Sequence, residues 1–284
     1  MFIVPDAVGI VEIFARKVDD RGVTVQSEKL AVEEPLEIRL RYSVGKTRET
    51  KAISITMRTP GFDEELAVGF LFSENIIKNA RDIISIVHCT PFSIKDKENT
   101  ILVELSEDCQ CDIQRLERHF YTTSSCGVCG KTSLEALGIH AQRVSEDSLV
   151  IPAEIIKALP ASLAQHQSVF NETGGLHASA LFDDKGNLQC VREDVGRHNA
   201  LDKIVGKALL AGEIPLNNNI LLLSGRASFE LIQKAIVAGI PIVAAIGAPS
   251  SLAVALARAF NITLLGFVRN GRFTIYSCDQ RVGL

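Results

Sequence analysis

"NILLLSGRASFELIQKAIVAGIPIVAAIGAPSSLAVALARAF", residues 219–260, decides the fold. Two short apolar runs, "ILLL" at 220–223 and "IPIVAAIG" at 240–247, each end in a turn of small residues. Each turn opens into a segment with helical spacing of its apolar positions. Strand, helix, strand, helix in succession implies an α/β arrangement, because neighbouring parallel strands need a helical crossover between them.

The same reading extends outward. Toward the C-terminus, "ITLLGFVR" and "RFTIYS" are the final strands. Toward the N-terminus, "HNALDKIVGKALLAG" is helical, and "LHASALFDDKGNLQCVRED" is a hairpin with its turn at Asp183–Asn187. "SLVIPAEIIKALPASLAQHQ" reads as the end of a strand followed by a helix. The first hundred residues are richer in strands: "VGIVEIFAR", "LEIRLRY", "KAISITM", "DIISIVH" and "TILVELS". One helix interrupts them within "TPGFDEELAVGFLFSENII". Leu66, Phe70 and Ile77 form its stripe, and Asp63, Glu64 and Glu65 sit in the first turn, where the dipole favours acids. The expected organisation is an N-terminal α+β domain over residues 1–118 and an α/β domain over 119–284.

Composition narrows the function. The 284 residues are 46% hydrophobic but only 6% aromatic, with no Trp, so the core is built of Leu, Ile, Val and Ala. A net charge of −4 argues against a nucleic-acid protein that relies on a broad basic face. No apolar run approaches the roughly 20 residues of a membrane span, and Asp6 interrupts the apolar N-terminus, which has no basic segment before it. Seven cysteines in a chain of this length, with no secretion signal read, point to reduced thiols and a cytoplasmic location.

The chemistry concentrates in "TTSSCGVCGKTSLEALG", residues 122–138. Cys126 and Cys129 with Cys109 and Cys111 make four thiols, but C-x-C followed by C-x-x-C is a weak zinc pattern. "CGKT" lacks the first glycine of a phosphate loop, because that position is Ser125. Thiol chemistry fits better. Lys131 offers positive charge, Thr132 and Glu135 resemble a capping box, and both would lower a thiol pKa just before a helix. The spacing alone leaves redox pairing and sulfur carriage open.

Other segments have the makings of an anion site. Ser224, Gly225 and Arg226 follow an apolar strand and precede a helix, and "IGAPSS" at 246–251 repeats the arrangement. "FVRNGR", residues Phe267, Val268, Arg269, Asn270, Gly271 and Arg272, sets two forked cations around a glycine suited to positive φ. "REDVGRHN" gathers Arg192, Glu193, Asp194, Arg197 and His198; its simplest reading is a helix start with Asp194 as cap and an internal ion-pair network. His177 is either a pocket residue or a hydrogen-bonded core histidine.

"SSCGVCGK" resembles the loop of the FdhD family, the formate dehydrogenase accessory sulfurtransferases. "MRTPGFDEELAVGFLFSENII", "NETGGLHASALF", "EDVGRHNALDKIVG", "SGRASFELIQKA", "AGIPIVAAIGAPSSLAVALA" and "LLGFVRNGRFTIY" are similar to further family segments in the family's order. Asn75 stands where glycine is usual and tolerates the same left-handed backbone. Cys109 and Cys111 fall outside the family pattern. The resemblance implies a cytidine-deaminase-like α/β domain with the smaller N-terminal domain, commonly as a homodimer. It implies a persulfide on Cys126, with Cys129 assisting, loaded by a cysteine desulfurase. The sulfur then passes to the Mo-bis(molybdopterin guanine dinucleotide) cofactor before formate dehydrogenase receives it. Phe267–Arg272 match the family's cofactor-binding segment, and GDP is expected to mimic one end of the cofactor. The alternatives are a zinc-stapled cofactor-binding protein and a disulfide oxidoreductase.

Overall fold

The computed structural model describes residues 9–89, 99–109, 143–145 and 149–284. The expected domain boundary at 118/119, the segment "DIQRLERHF" and the Cys126–Cys129 loop lie outside the described residues. The chain begins with an arm in which β1 (Ile10–Asp19) pairs antiparallel with β2 (Gly22–Ala31). Then β3 (Glu34–Val44) and β4 (Thr47–Arg58) lead into helix α1 (Asp63–Ser73), and β5 (Ile83–His88) and β6 (Thr100–Leu105) complete a four-stranded sheet in the order β4-β3-β6-β5. α1 stops where Asn75 takes φ 59°, the left-handed backbone expected of it. Ile77 therefore lies beyond the helix, though it is buried.

The remainder runs β7 (Ile151–Pro152), α2 (Ala153–His166), α3 (Ser168–Thr173), β8 (His177–Phe182), β9 (Leu188–Asp194) and α4 (Arg197–Leu210). It continues through β10 (Ile220–Leu223), α5 (Phe229–Val237), β11 (Ile242–Ala245), α6 (Ser251–Ala259), β12 (Thr263–Arg269), β13 (Arg272–Ser277) and β14 (Val282–Gly283). Six of these strands form one sheet in the order β13-β12-β11-β10-β8-β9. β10, β11 and β12 are parallel, as the 219–260 stretch requires, and β8, β9 and β13 add antiparallel edges. β9 is antiparallel to β8 and so runs with β10. Helices α4, α5 and α6 consequently all begin at the same edge of the sheet, beyond the strands' C-terminal ends.

Side chains alternate across this sheet. Leu221, Leu223, Val243, Ala245 and Leu264 enter one core, while Ile220, Leu222, Ile242, Ala244 and Leu265 enter the other. The first core is shared with the four-stranded sheet through Leu36, Ile38, Leu40, Ile101 and Val103, and α1, α4, α5 and α6 fill it. The second is closed by Ile156, Leu159 and Leu163 of α2. Each fully buried Leu or Ile stabilises by about 1.5–3 kcal/mol. α1 is buried on several sides because it is wedged between the small sheet and α4, which explains why its apolar residues do not keep to one stripe.

Polar groups fix how the helices meet. Lys234 on α5 bonds both carboxylate oxygens of Asp202 on α4, at 2.8 and 2.9 Å, and Ser73 at the end of α1 donates to the same carboxylate at 3.0 Å. Asp194 does not cap α4: that position is Gly196. Asp194 instead ends β9 fully buried, accepting from the Thr59 and Gly196 N–H groups and the Asn199 amide, and pairing with Lys203 at 2.7 Å. This ties the entry to α1 to the six-stranded sheet.

Candidate functional site

Three turns lie side by side at the C-terminal edge of the parallel strands. The Gly247 N–H donates to Gly225 O at 3.0 Å, Ala227 N–H to Ala248 O at 3.2 Å and Ser250 N–H to Ala227 O at 3.0 Å. This zips Ser224–Ser228 to Ile246–Ser250. The Phe267 N–H then donates to Gly247 O at 3.0 Å, fastening β12 to the same row. Glycine is required at Gly247, where an added Cβ would lie 2.9 Å from Gly225 O. Phe267 takes φ 54°, a left-handed backbone that costs a phenylalanine on the order of 1–3 kcal/mol, at an irregularity in the β12–β13 pairing.

A cleft of about 460 Å³ opens beside this row. Ser224, Ile246 and His177 form one wall, and Gln167, Phe170, Gly174, Gly175 and Leu176 the other, with Val195 between them. The lining mixes Phe170, Leu176, Val195 and Ile246 with the polar groups of Gln167, His177 and Ser224, a make-up able to hold a small molecule. The Ser224 hydroxyl accepts from Ala178 N–H at 2.8 Å, which leaves its own proton to donate. The His177 ring sits over Gly225, so close that a Cβ there would come within 3.3 Å of Nδ1. Burial pushes the His177 pKa below its ordinary value, and the Arg197 and Arg226 guanidiniums push it the same way. At neutral pH the ring is therefore neutral beside two fixed cations.

The charged motif 192–198 lends Val195 to the lining and supports the wall built by α3. The Glu193 carboxylate accepts from Val169 and Phe170 N–H at 3.0 and 2.8 Å, satisfying the N-terminus of α3. Arg192 grips Glu65 with two hydrogen bonds, at 2.6 and 2.7 Å, and stacks on the Phe62 ring. The expected internal ion-pair network is thus replaced by bonds to three other segments. His198 Nε2 lies 3.3 Å from the Ser228 hydroxyl and 3.7 Å from the Glu230 carboxylate. Burial, with Arg197 beside it, lowers the His198 pKa to about 4. Neither α4 nor α5 is capped by the side chain of its N-cap residue, but at α5 the Glu230 carboxylate takes its own backbone N–H and the Ser228 hydroxyl, so α4 is the helix that offers backbone N–H groups toward this edge.

Of the predicted site residues, Ser224, Gly225 and Phe267 are brought into one row. Arg269 and Arg272 face each other across the Asn270–Gly271 turn, which has φ 54° and 69°. They are exposed beyond the same edge, with Arg269 5.6 Å from the Phe267 ring. Val268 is buried in the core, so only its backbone is available to a ligand. Cys126 and Cys129 are outside the described residues. Gln167, Phe170 and Val195 were not legible as site residues; the Gly174–Gly175 pair after "NET" is the one local signal that the backbone closes tightly there.

A second cleft of about 500 Å³ lies by α1, around Arg58, Phe62, Asp63 and His88. Its main charges answer one another: Arg58 bonds Asp63 through two nitrogens, at 3.0 and 2.9 Å, and Asn99 at 3.1 Å. Among the described residues no group of three or more histidine, cysteine, aspartate or glutamate side chains is placed to hold a metal, and no helix is long and apolar enough to cross a membrane.

The model of the FdhD/NarQ family matches residues 31–283. The chain belongs to that family. The Sulfur carrier protein FdhD of Streptomyces avermitilis is 45% identical over 272 residues, covering 94% of both chains. The protein of the same name from Sulfurisphaera tokodaii is 42% identical over 268 residues, 94% of this chain and 96% of its own. A crystal structure assigned as a formate dehydrogenase accessory protein from Desulfotalea psychrophila superposes with a TM-score of 0.74 at 25% identity, covering 97% of this chain and all of the other. Similarity of this extent supports a sulfur-carrier role linked to formate dehydrogenase, within a mixed α/β fold.

Proposed function

We propose that this FdhD/NarQ-family protein takes a sulfane sulfur from a cysteine desulfurase onto Cys126 and delivers it to the Mo-bis(molybdopterin guanine dinucleotide) cofactor. The cofactor, here a substrate rather than a resident group, then goes to formate dehydrogenase, and the setting is the cytoplasm. The observation that carries the reading is a C-x-x-C loop, Cys126–Cys129, in a chain whose relatives are named sulfur carriers over nearly their whole length.

The chemistry balances as two thiol exchanges. The Cys126 thiolate attacks the outer sulfur of the donor persulfide, and the donor cysteine leaves as its thiolate. Attack by Cys129 on the Cys126 sulfur then closes a disulfide and releases hydrosulfide, which would take the place of an oxygen ligand of the substrate's metal, that oxygen leaving as water with uptake of one proton. A thiol reductant restores the pair. A thiolate is the nucleophile in each step, and the adjacent Lys131 favours it.

The row from Ser224 to Phe267 supports a substrate site at the other end of this reaction. Its cations and the N-terminus of α4 suit pyrophosphate oxygens, and the apolar part of its cleft suits a flat heterocycle. Mass spectrometry of the loop peptide after incubation with a desulfurase and cysteine tests the reading. A +32 Da adduct, about one sulfur atom, is expected on Cys126 and absent from Cys126→Ala. Full labelling of Cys126→Ala together with none in Cys129→Ala would reverse the two roles. No adduct on either cysteine would refute sulfur carriage.

A further inference from the structure

Gln167 joins α2 to α3 and lines the cleft that His177 and Ser224 share. The residue is only 6% exposed, yet its side-chain amide makes no hydrogen bond to the protein. Neither polar atom of that amide is sealed in the interior, so both open onto the cleft. Buried polar groups in folded chains are nearly always paired, which makes a bare amide here an observation to explain. Its backbone is fixed. The Gln167 carbonyl accepts from the Asn171 N–H at 2.9 Å, and the Asn171 side chain donates to Ala164 O of α2 at 3.0 Å, pinning one helix to the other. One donor and one acceptor are thus held ready for a molecule that enters the cleft.

Phe170 stands three residues on, 38% exposed, on the same wall. An aromatic face beside a free amide suits a flat heterocycle: the face stacks and the amide reads the ring edge. Ser224 on the facing wall narrows the choice of edge. Its oxygen accepts from Ala178 N–H at 2.8 Å, which leaves its proton to donate. A carboxamide matches any edge that sets a donor beside an acceptor. Guanine offers a ring N–H beside a carbonyl, and adenine offers an amine beside a ring nitrogen. They differ at the next position. The guanine carbonyl keeps a second lone pair on its N7 side, whereas adenine has an amine donor there. The guanine-type edge can therefore answer Ser224 through the same carbonyl that Gln167 contacts.

We propose that Gln167 selects the ring. Its amide N–H donates to the carbonyl of a lactam edge and its oxygen accepts from the neighbouring ring N–H, with the ring lying on Phe170. The assignment rests on the reading that the cleft takes a heterocycle of the cofactor, and adds which edge is recognised and by which side chain. The aminopyrimidinone ring that guanine and pterins share carries this edge, so the cofactor has it in both kinds of ring.

Equilibrium binding of GDP, inosine diphosphate, ADP and hydroxymethylpterin to the full chain tests this. GDP and inosine diphosphate, which share the lactam edge, should bind at least about tenfold more tightly than ADP. Gln167→Leu removes both polar atoms and keeps most of the volume. It should weaken GDP and inosine diphosphate about tenfold and leave ADP where it was, a change of ratio that a loss of folded protein does not produce. GDP methylated on the ring carbonyl oxygen loses the ring N–H and should bind the parent as weakly as ADP does, an arm that needs no variant. Of guanine and pterin, the ring whose binding falls more in Gln167→Leu is the one the cleft takes. Equal affinity of the parent for GDP and ADP, inosine diphosphate bound no better than ADP, or an unchanged ratio in Gln167→Leu would overturn the role of Gln167 and leave the substrate cleft in place. No binding of GDP or the pterin by the parent would remove both the cleft and this assignment, while the Cys126 adduct reports on sulfur carriage separately.

Discussion

Gly69 of α1 and Gly206 of α4 meet backbone to backbone. A Cβ on Gly69 would lie 1.8 Å from Asp202 O, and one on Gly206 would lie 1.8 Å from Glu65 O. Neither obstacle is a side chain that could swing away, so the helices themselves would have to part. Gly206→Ala is expected to destabilise by at least about 3 kcal/mol despite the better helix propensity of alanine, because overpacking here is met by main chain. Denaturant unfolding measures it, and a loss below about 1 kcal/mol, the size of the propensity gain itself, would mean the crossing is looser than described.

The Asp202–Lys234 pair yields a second expectation. Burial pushes the Asp202 carboxyl up from its ordinary value, and Lys234 opposes that shift. Lys234→Met would leave the carboxylate unpaired and should cost about 3–5 kcal/mol at neutral pH. A raised folded pKa means that stability is kept below the unfolded value of 3.8 and lost as pH rises through the folded pKa. The variant should therefore approach the parent in acid. Asp202→Asn added to Lys234→Met should recover part of the loss. A uniform deficit at all pH values would rule out this origin.

His198 has the opposite sign. Its folded pKa of about 4 lies below the ordinary 6.5, so its contribution is present above 6.5 and is lost as pH falls toward 4. His198→Gln should flatten the stability profile in that window. The His198 ring proton resonances should move only near pH 4, and a midpoint above about 6 would contradict the assignment.

If GDP stands in for one end of the cofactor, the parent chain should bind it without added metal. Each charge-assisted hydrogen bond is worth roughly 1.5–3 kcal/mol, so Arg226→Ala and Arg272→Ala should each weaken binding about tenfold or more. A phosphate near His177 would offset the two arginines that lower its pKa, so affinity should rise on acidification with uptake of protons. Calorimetry in two buffers of different ionisation enthalpy reads both quantities. Equal affinity in Arg272→Ala would place the β12–β13 turn outside the site.

The strand–helix alternation made the six-stranded sheet readable, because each apolar run was bounded by small residues and short enough to be a strand. The Asn75 turn and the Asp183–Asn187 hairpin were equally plain, since their chemistry is local. β2 was not anticipated: exposed on both sides for most of its length, "GVTVQSEKLA" lacks the apolar alternation that a half-buried strand shows. Asp194 looked like a helix cap because a cap is the commonest local use of aspartate. Its actual partners, Thr59 and Lys203, are set by tertiary packing. The cleft was half legible. Ser224–Arg226 and Phe267 follow from strand ends, whereas Gln167 and Phe170 arrive from the start of α3, which is held by residues remote in sequence, Glu193 and Lys29.

The turns along the sheet edge donate and accept among themselves, from Gly225 through Gly247 to Phe267. Their amides should therefore exchange with solvent as slowly as those of β10 and β11, opening only when the sheet opens. A molecule gripped there would not order a floppy loop. It would raise the melting temperature of the whole α/β unit, making a thermal shift assay a direct gauge of occupancy.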